Sequence, residues 1–264
     1  MARRARREPG FALLIVLWWT VLLALLAAQL ATAGRLEAQR AGNLRGAAQA
    51  EAAADGALHE AAFHLLDGSG AGWAADGASH EVAVVGGVAH VEVRSEAAKV
   101  ALNQAPAGLV AALLARLGAG QHEAAALADA ILDWRTTTIQ ARPLGAKAPE
   151  YRAAGLGYAP PDSSFETLDE LGLVRGMTPG LLARVAPFVT VHWAGDVDRA
   201  LAAPPVLLAT ADAGGGSAED DATAPVVTVS VSVELANGAR LARRTVLRLA
   251  ANAMKRPFQV LDQD

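Results

Sequence analysis

An uninterrupted apolar run near the start of the chain, residues 11–28, constrains the fold more than any other feature. It reads FALLIVLWWTVLLALLAA, and Thr20 is its only hydroxyl-bearing residue. The run approaches the roughly 20 residues with which a helix crosses a hydrocarbon core of about 30 Å. A helix satisfies its own backbone polar groups in lipid, which a single extended segment does not. The run therefore predicts a membrane-spanning helix.

The charges ahead of this run indicate its orientation. Four arginines precede it, namely Arg3, Arg4, Arg6 and Arg7. Basic residues that flank a span tend to stay in the cytoplasm. We therefore expect a single-pass membrane protein, with its N-terminus in the cytoplasm and most of the chain outside the cytoplasm.

Three kinds of processing are compatible with such a start. A secretory signal peptide has an apolar region of about 7–15 residues and a small-residue cleavage site, and residues 28–33 (AQLATA) offer one after Ala33. A signal anchor stays uncleaved. A prepilin-type leader is a short basic segment that ends in Gly and is cut before a hydrophobic residue. Residues 1–10 fit this third pattern, with the cut between Gly10 and Phe11.

The composition of the chain argues against several classes of function. The chain has 264 residues, no cysteine and a formal net charge of −4. It therefore lacks a disulfide framework and a cysteine nucleophile, and it lacks the basic balance of a nucleic-acid binder. The six histidines are not spaced as a zinc site, and there is no Gly-x-Ser-x-Gly nucleophile motif. We expect no catalytic residue, no metal ligand and no cofactor.

The pattern beyond the apolar run predicts a long helix and two hairpins. Residues 29–66 are rich in good helix formers, so the helix continues. The first predicted hairpin consists of residues 81–85 and 88–94, which flank Gly86-Gly87. The second consists of residues 226–235 and 240–249, in which apolar and polar residues alternate. Its turn contains Asn237-Gly238, which predicts a type I′ turn. Residues 257–261 predict a last short strand. The predicted buried face of these strands comprises Val82, Val84, Val91, Val93, Val227, Val229, Val231, Val233 and Leu235.

Between the hairpins the sequence is mostly helical. Helices are predicted at residues 106–117, 123–134, 167–173 and 179–185, with a long irregular loop at residues 136–164. The Gly-, Ser- and Asp-rich residues 209–224 predict a flexible linker. The fold class is α+β: a long N-terminal helix on an antiparallel sheet, with a helical domain inserted between strands. The predicted divisions are a leader (1–10), a transmembrane part (11–28), a periplasmic helix and first hairpin (29–96), an inserted domain (97–208), the linker (209–224) and C-terminal strands (225–264).

Several segments, taken in order, resemble the minor pseudopilin K family of the type II secretion system. The later motif, from residue 165 to residue 179, is the most specific, and the shared order is stronger than any single segment. The resembling segments are GFALLIVLW (10–18), VEVR (91–94), ALNQA (101–105), ADAILDW (128–134), FETLDELGLVRGMTP (165–179) and PFVTV (187–191).

The resemblance implies a pseudopilin fold and a structural role in protein secretion. It implies cleavage between Gly10 and Phe11 by a prepilin peptidase, followed by N-methylation of Phe11. It also implies assembly with I- and J-type minor pseudopilins, and then with the H-type and major pseudopilins, at the tip of a pseudopilus. Most pilin-like chains carry Glu as the fifth mature residue, where this chain has Ile15. A carboxylate in lipid needs a partner such as the terminal ammonium of the subunit ahead, so its absence favours the leading position.

One segment departs from the family pattern. The resemblance implies a calcium-linked, aspartate-rich stretch after residue 134, but this chain reads RTTTIQ there. Calcium takes about 6–8 oxygen ligands, and the nearby carboxylates are Asp129, Asp133, Glu150 and Asp162. The sequence favours no bound calcium, with retained binding as the alternative.

Other functions stay open as alternatives. Residues 171–185 resemble a helix–hairpin–helix, but Thr178 replaces its second Gly and the region has no basic cluster, so we expect no nucleic-acid partner. A signal-anchored periplasmic enzyme or binding module would keep an uncleaved N-terminus. A pilin-like subunit of a type IV pilus would share the leader but not the I- and J-type partners.

Overall fold

The computed structural model describes residues 9–67, 69, 72–214, 224–250 and 257–264. Helix α1, Pro9–Leu66, is one continuous helix of 58 residues, about 87 Å long at 1.5 Å per residue. Its first part is exposed, and its buried residues begin at Gly46. The predicted continuation of the apolar helix is confirmed, whereas leader residues 1–8 lie outside the described residues.

The second element is a five-stranded antiparallel sheet, whose strands in spatial order are β1 (Asp76–Val84), β2 (Gly87–Ser95), β5 (Val226–Leu235), β6 (Arg240–Leu249) and β7 (Phe258–Gln263). Two further short strands, β3 and β4, are Val100–Ala101 and Val189–Thr190. Strand β2 pairs directly with β5, and Ser95 lies opposite Val227. The chain between these two residues is therefore an insertion between neighbouring strands, which confirms the predicted fold class.

Helix α1 covers one face of this sheet. Its buried residues recur every three or four positions, the spacing that aligns side chains on one helix face. They are small, which lets the helix backbone approach the valine face of the strands. The shared core contains Ala50, Ala54, Ala57, Leu58, Ala61, Val91, Val93, Val229, Val231, Val233 and Leu247.

Both hairpin turns differ in detail from the sequence prediction. Val84 pairs with Gly87, so the first turn consists of Val85 and Gly86, not Gly86-Gly87. Gly87 belongs to β2, and a Cβ there would collide with the backbone of Glu234. The second turn is not type I′, because that type requires positive φ at Asn as well as Gly and only Gly238 has it, at 82°.

The inserted domain has its own hydrophobic core of leucines and aromatic rings. Its helices are α2 (Ala107–Arg116), α3 (Gln121–Arg135), α4 (Ala148–Ala153), α5 (Pro179–Val185) and α6 (Pro204–Asp212). Short 3₁₀ helices occur at Glu96–Ala98, Leu168–Leu173 and Ala186–Phe188. Strands β3 (Val100–Ala101) and β4 (Val189–Thr190) form a parallel pair. The largest buried side chains include Leu102, Leu113, Leu114, Leu127, Ile131, Trp134, Tyr151 and Leu171.

Two predictions about this region need correction. Residues 136–164 are not wholly irregular, because α4 forms within them and begins with a proline in its first turn. The predicted linker begins too early, since α6 continues to Asp212. Residues 215–223 of that linker lie outside the described residues.

A buried carboxylate joins the sheet to the inserted domain. Glu96, 2% exposed, accepts hydrogen bonds from Lys99 Nζ at 2.5 Å and from Thr228 Oγ1 of β5 at 2.6 Å. Burial alone raises the pKa of Glu96, but the Lys99 ammonium and the Thr190 and Thr228 hydroxyls outweigh it and hold that pKa below its ordinary value. The ionised form of Glu96 is thus the form that stabilises this joint.

Candidate functional site

The exposed part of α1 is the first candidate site. Within residues 13–66, the most apolar 18-residue window has a mean hydropathy of 2.4, and none of it is buried. By length and composition the helix is able to cross a membrane, a property that a signal sequence near the N-terminus shares. Large apolar side chains on this surface include Phe11, Leu13, Trp18, Trp19, Leu23 and Leu30.

The predicted processing residues lie at the very beginning of this surface. Gly10 and Phe11 fall in the first turn of α1, and the Phe11 side chain is exposed. Ile15 follows one turn later and is also exposed. The sequence has no Asp or Glu from Phe11 until Glu37. The exposed apolar segment therefore carries no carboxylate of its own, and cleavage between Gly10 and Phe11 stays a prediction.

The second candidate site is a polar cluster inside the inserted domain. Its centre is Lys147, a residue that the sequence analysis did not single out, and it is 4% exposed. Its Nζ donates hydrogen bonds to the carbonyl oxygens of Asp133 at 2.6 Å and Thr136 at 2.5 Å, and to Asp162 Oδ1 at 2.5 Å. An ammonium has three donors, so all three are used.

The Asp133 carboxylate lies at the same place and is fully buried. Its Oδ2 accepts a hydrogen bond from the backbone N–H of Arg142 at 3.0 Å. Its Oδ1 has no hydrogen-bond partner and lies 3.7 Å from Arg142 Nε. Burial raises the pKa of Asp133, and the backbone N–H of Arg142, the Lys147 ammonium and the Arg142 guanidinium only partly oppose that rise. A Cβ on Gly145 would collide with this carboxylate, so a glycine is required there.

The other two predicted carboxylates hold backbone N–H groups around the cluster. Asp129 Oδ2 accepts from the N–H of Leu144 at 3.2 Å. Glu150 Oε2 accepts from the N–H of Lys147 at 2.8 Å and so caps α4. That backbone hydrogen bond lowers the pKa of Glu150.

This arrangement does not fit a bound calcium ion. The four predicted carboxylates do gather in one region, but an ammonium occupies the position between the oxygens of Asp133, Thr136 and Asp162. Across the described ranges, no group of three or more His, Cys, Asp or Glu side chains is placed to hold a metal ion. Lys147 is one of only three lysines in the chain. This rarity is the feature of the sequence that could have marked Lys147 as a residue with a specific role.

Other predicted features serve local structure. The Thr178 hydroxyl accepts a hydrogen bond from the N–H of Leu181 at 3.3 Å and caps α5, so this residue of the helix–hairpin–helix-like segment has a structural partner.

Trp73 stacks on the rings of His64 and His80, with centroids 4.6 and 4.0 Å apart. These two histidines pack an aromatic cluster at the end of α1.

A long N-terminal helix with an exposed apolar start, packed on an antiparallel sheet, is the arrangement of a pilin-like fold. Residues 88–193 match the family model described as "Type II secretion system (T2SS), protein K". The fold is similar to a chain of the crystal structure of the GspK-GspI-GspJ complex from the type 2 secretion system of enterotoxigenic Escherichia coli. The TM-score is 0.61 at 17% identity, over 88% of this chain and 98% of that chain. Among curated proteins, none matches this sequence. The resemblance to minor pseudopilin K is thereby confirmed.

Proposed function

We propose that this chain is a minor pseudopilin that stands at the tip of a type II secretion pseudopilus and acts as a structural subunit, not as an enzyme. The observation that carries the proposal is the position of the inserted domain relative to the exposed apolar helix. These two parts leave the sheet at opposite ends, as the contacts of α1 show.

The end of the sheet nearest the apolar segment is the turn between β5 and β6. Gln49 of α1 accepts a hydrogen bond through Oε1 from Asn237 Nδ2 at 2.9 Å in this turn. A Cβ on Gly46 would lie 3.3 Å from that of Ala239. Residues 11–45 of α1 therefore continue beyond this end of the sheet.

The inserted domain joins the sheet at the other end. It begins after Ser95 of β2, which pairs with Val227 at the start of β5. The last turns of α1 lie near this end, where the rings of His59 and Phe258 are 5.5 Å apart. If the apolar segment sits in the membrane, the inserted domain projects away from it and obstructs the addition of a further subunit above.

The proposed assembly follows from this geometry and from the relatives. The structural relative is solved in a complex with GspI and GspJ, and we propose the corresponding I- and J-type minor pseudopilins as partners, with the H-type and major pseudopilins below them. The leader would lie in the cytoplasm, the exposed helix in the inner membrane and the remainder in the periplasm. The exposed apolar segment, which lacks a carboxylate at Ile15, suits a subunit with no neighbour ahead of it.

Mass spectrometry of the chain co-expressed with a prepilin peptidase tests this proposal. The expected product begins at Phe11, carries an N-methyl group and has lost residues 1–10. The variant Gly10→Val should stay uncut, because a bulky side chain replaces the residue at the cut, whereas Ala33→Leu should be cut as the wild type is. An intact leader, or cleavage after Ala33, contradicts the proposal. Co-purification of the mature chain with I- and J-type partners separates it from a type IV pilus subunit.

A further inference from the structure

We propose that the Lys147 ammonium is an internal cation. It fills an oxygen cage that would otherwise take a divalent ion, so the native chain excludes calcium from the inserted domain. Removal of the ammonium then opens the cage to calcium. This inference concerns the stability of the inserted domain and does not depend on processing at Gly10.

The first argument is the geometry around Nζ. Its three acceptors come from the end of α3, the residue that follows α3, and the loop after α4: the carbonyl oxygens of Asp133 and Thr136 and the carboxylate of Asp162. Carbonyl and carboxylate oxygens are the ligands that calcium prefers. The ammonium thus binds the donor set of a hard cation.

The second argument is charge. The side chain of Lys147 is 5% exposed, and a buried charge is stable only when it is paired. Asp162 Oδ1, 2.5 Å from Nζ, supplies the paired negative charge. The buried Asp133 carboxylate does not contact Nζ directly, but the Lys147 ammonium opposes the rise in the pKa of Asp133 that burial causes. The oxygens around Nζ therefore favour a cation, and the chain provides it covalently.

The third argument is that the cage is held by backbone as well as by side chains. Lys147 is the residue before α4, where Glu150 fixes its N–H. Asp162 adopts a left-handed φ of 56°, a conformation that is uncommon for a residue with a side chain and is retained where surrounding contacts enforce it. The oxygens would therefore persist when the ammonium is removed, and a shorter side chain would leave space for an ion with its waters.

Calorimetric titration of the full-length chain in detergent with calcium chloride tests the proposal. The wild type should give a flat trace, and its thermal midpoint should be the same in calcium and in EDTA. Lys147→Ala should have a lower midpoint in EDTA, recover part of the loss in calcium and bind one calcium ion with a Kd of about 10⁻⁴–10⁻³ M, the range of weak extracellular sites. The double variant K147A/D162N should lose that binding, because it lacks the Asp162 carboxylate.

Two results would overturn the proposal. One is saturable calcium binding by the wild type that Asp162→Asn abolishes. The other is a folded Lys147→Ala that binds no calcium. If Lys147→Ala is unfolded in EDTA, Lys147→Ser is the second variant, because serine is nearly as small as alanine and supplies a hydroxyl oxygen. Recovery of the helical circular dichroism signal of either variant by calcium supports the proposal, and continued unfolding of both in millimolar calcium contradicts it.

Discussion

The sheet with α1 and the inserted domain are stabilised in different ways. In the sheet layer, small and β-branched residues repeat at fixed intervals, so that alanines of α1 lie on a valine face. In the inserted domain, leucines and aromatic rings surround a buried network of Asp133, Lys147 and their partners. The first core depends on spacing along the backbone, whereas the second also depends on polar contacts between distant residues.

The two regions are therefore sensitive to different substitutions. A periodic core of small residues leaves no room for a larger side chain. A buried polar network is sensitive instead to the loss of one partner, because the remaining donor or charge stays buried without compensation. One substitution that overpacks the sheet layer and another that removes a partner from the polar network therefore test whether the two regions respond differently.

Asp133→Ala in the inserted domain should destabilise the protein more than the other substitutions. The change removes the acceptor of the Arg142 N–H and leaves a cavity where a fully buried side chain was. The Arg142 guanidinium is 42% exposed, so water solvates it and its loss of a partner adds little. A buried donor left without a partner costs about 1–3 kcal/mol, and because the cavity adds to that cost, we expect a loss of about 3 kcal/mol in the free energy of unfolding. Urea unfolding followed by tryptophan fluorescence measures it.

Two control variants locate the cause of that loss. Asp133→Asn keeps an acceptor oxygen and the volume, and it avoids burying a charge, so it should cost less than Asp133→Ala. Asp129→Ala removes a more exposed acceptor and should cost below about 1 kcal/mol. Equal losses for all three variants would show that the carboxylate of Asp133 is not the central acceptor of the network.

A smaller effect is expected from overpacking the sheet layer with Ala54→Leu. Ala54 is fully buried between α1 and the strands. Added methylenes in a close-packed core cost about 1–3 kcal/mol. Ala52→Leu on the exposed side of the same helix is the matched control and should be neutral within about 0.5 kcal/mol. Comparable thermal midpoints for the two variants would contradict the close approach of helix and sheet.

The smallest expected effect is a difference in pH dependence between two buried carboxylates. The folded pKa of Glu96 lies below its ordinary value of 4.5, so its stabilisation is present above pH 4.5 and is lost as the pH falls through the folded pKa. The folded pKa of Asp133 lies above 3.8. Its ionisation therefore opposes folding at neutral pH, and this cost is relieved as the pH falls through the folded pKa towards 3.8.

Urea unfolding of wild type, Glu96→Gln and Asp133→Asn between pH 7 and pH 3.5 measures both trends. The stability advantage of wild type over Glu96→Gln should shrink below pH 4.5. The stability of wild type relative to Asp133→Asn should rise as the pH falls. Parallel curves for the three proteins would show that neither carboxylate changes its pKa on folding.

The sheet layer was the more predictable region because its signals are local. Alternation in residues 226–235 and the glycines near residue 86 indicate strands and turns without reference to the rest of the chain. The errors there were small shifts at Gly87 and Gly238, which depend on the backbone of the partner strand. The fold class followed from the order of these elements.

The polar network of the inserted domain was only partly predictable. The sequence pointed to Asp129, Asp133, Glu150 and Asp162 as a group, and they do gather in one region. It could not show that Lys147 lies among them, because the side chain of a lysine in a loop between Gly145 and Pro149 is usually exposed. Helix α6 was missed because no periodic pattern distinguished it from the linker that follows.

The place of the inserted domain in the sheet has a consequence for the order of folding. Glu96 and Thr228, joined by a hydrogen bond, are 132 positions apart, and pairing of β2 with β5 must close that long loop. Contacts of such sequence separation form slowly in an unordered chain. An inserted domain that folds first brings its two ends together and shortens the search. The folding of the inserted domain, which includes its polar network, would then precede and set the rate of the pairing of β2 with β5, although no residue of that network lies in the sheet.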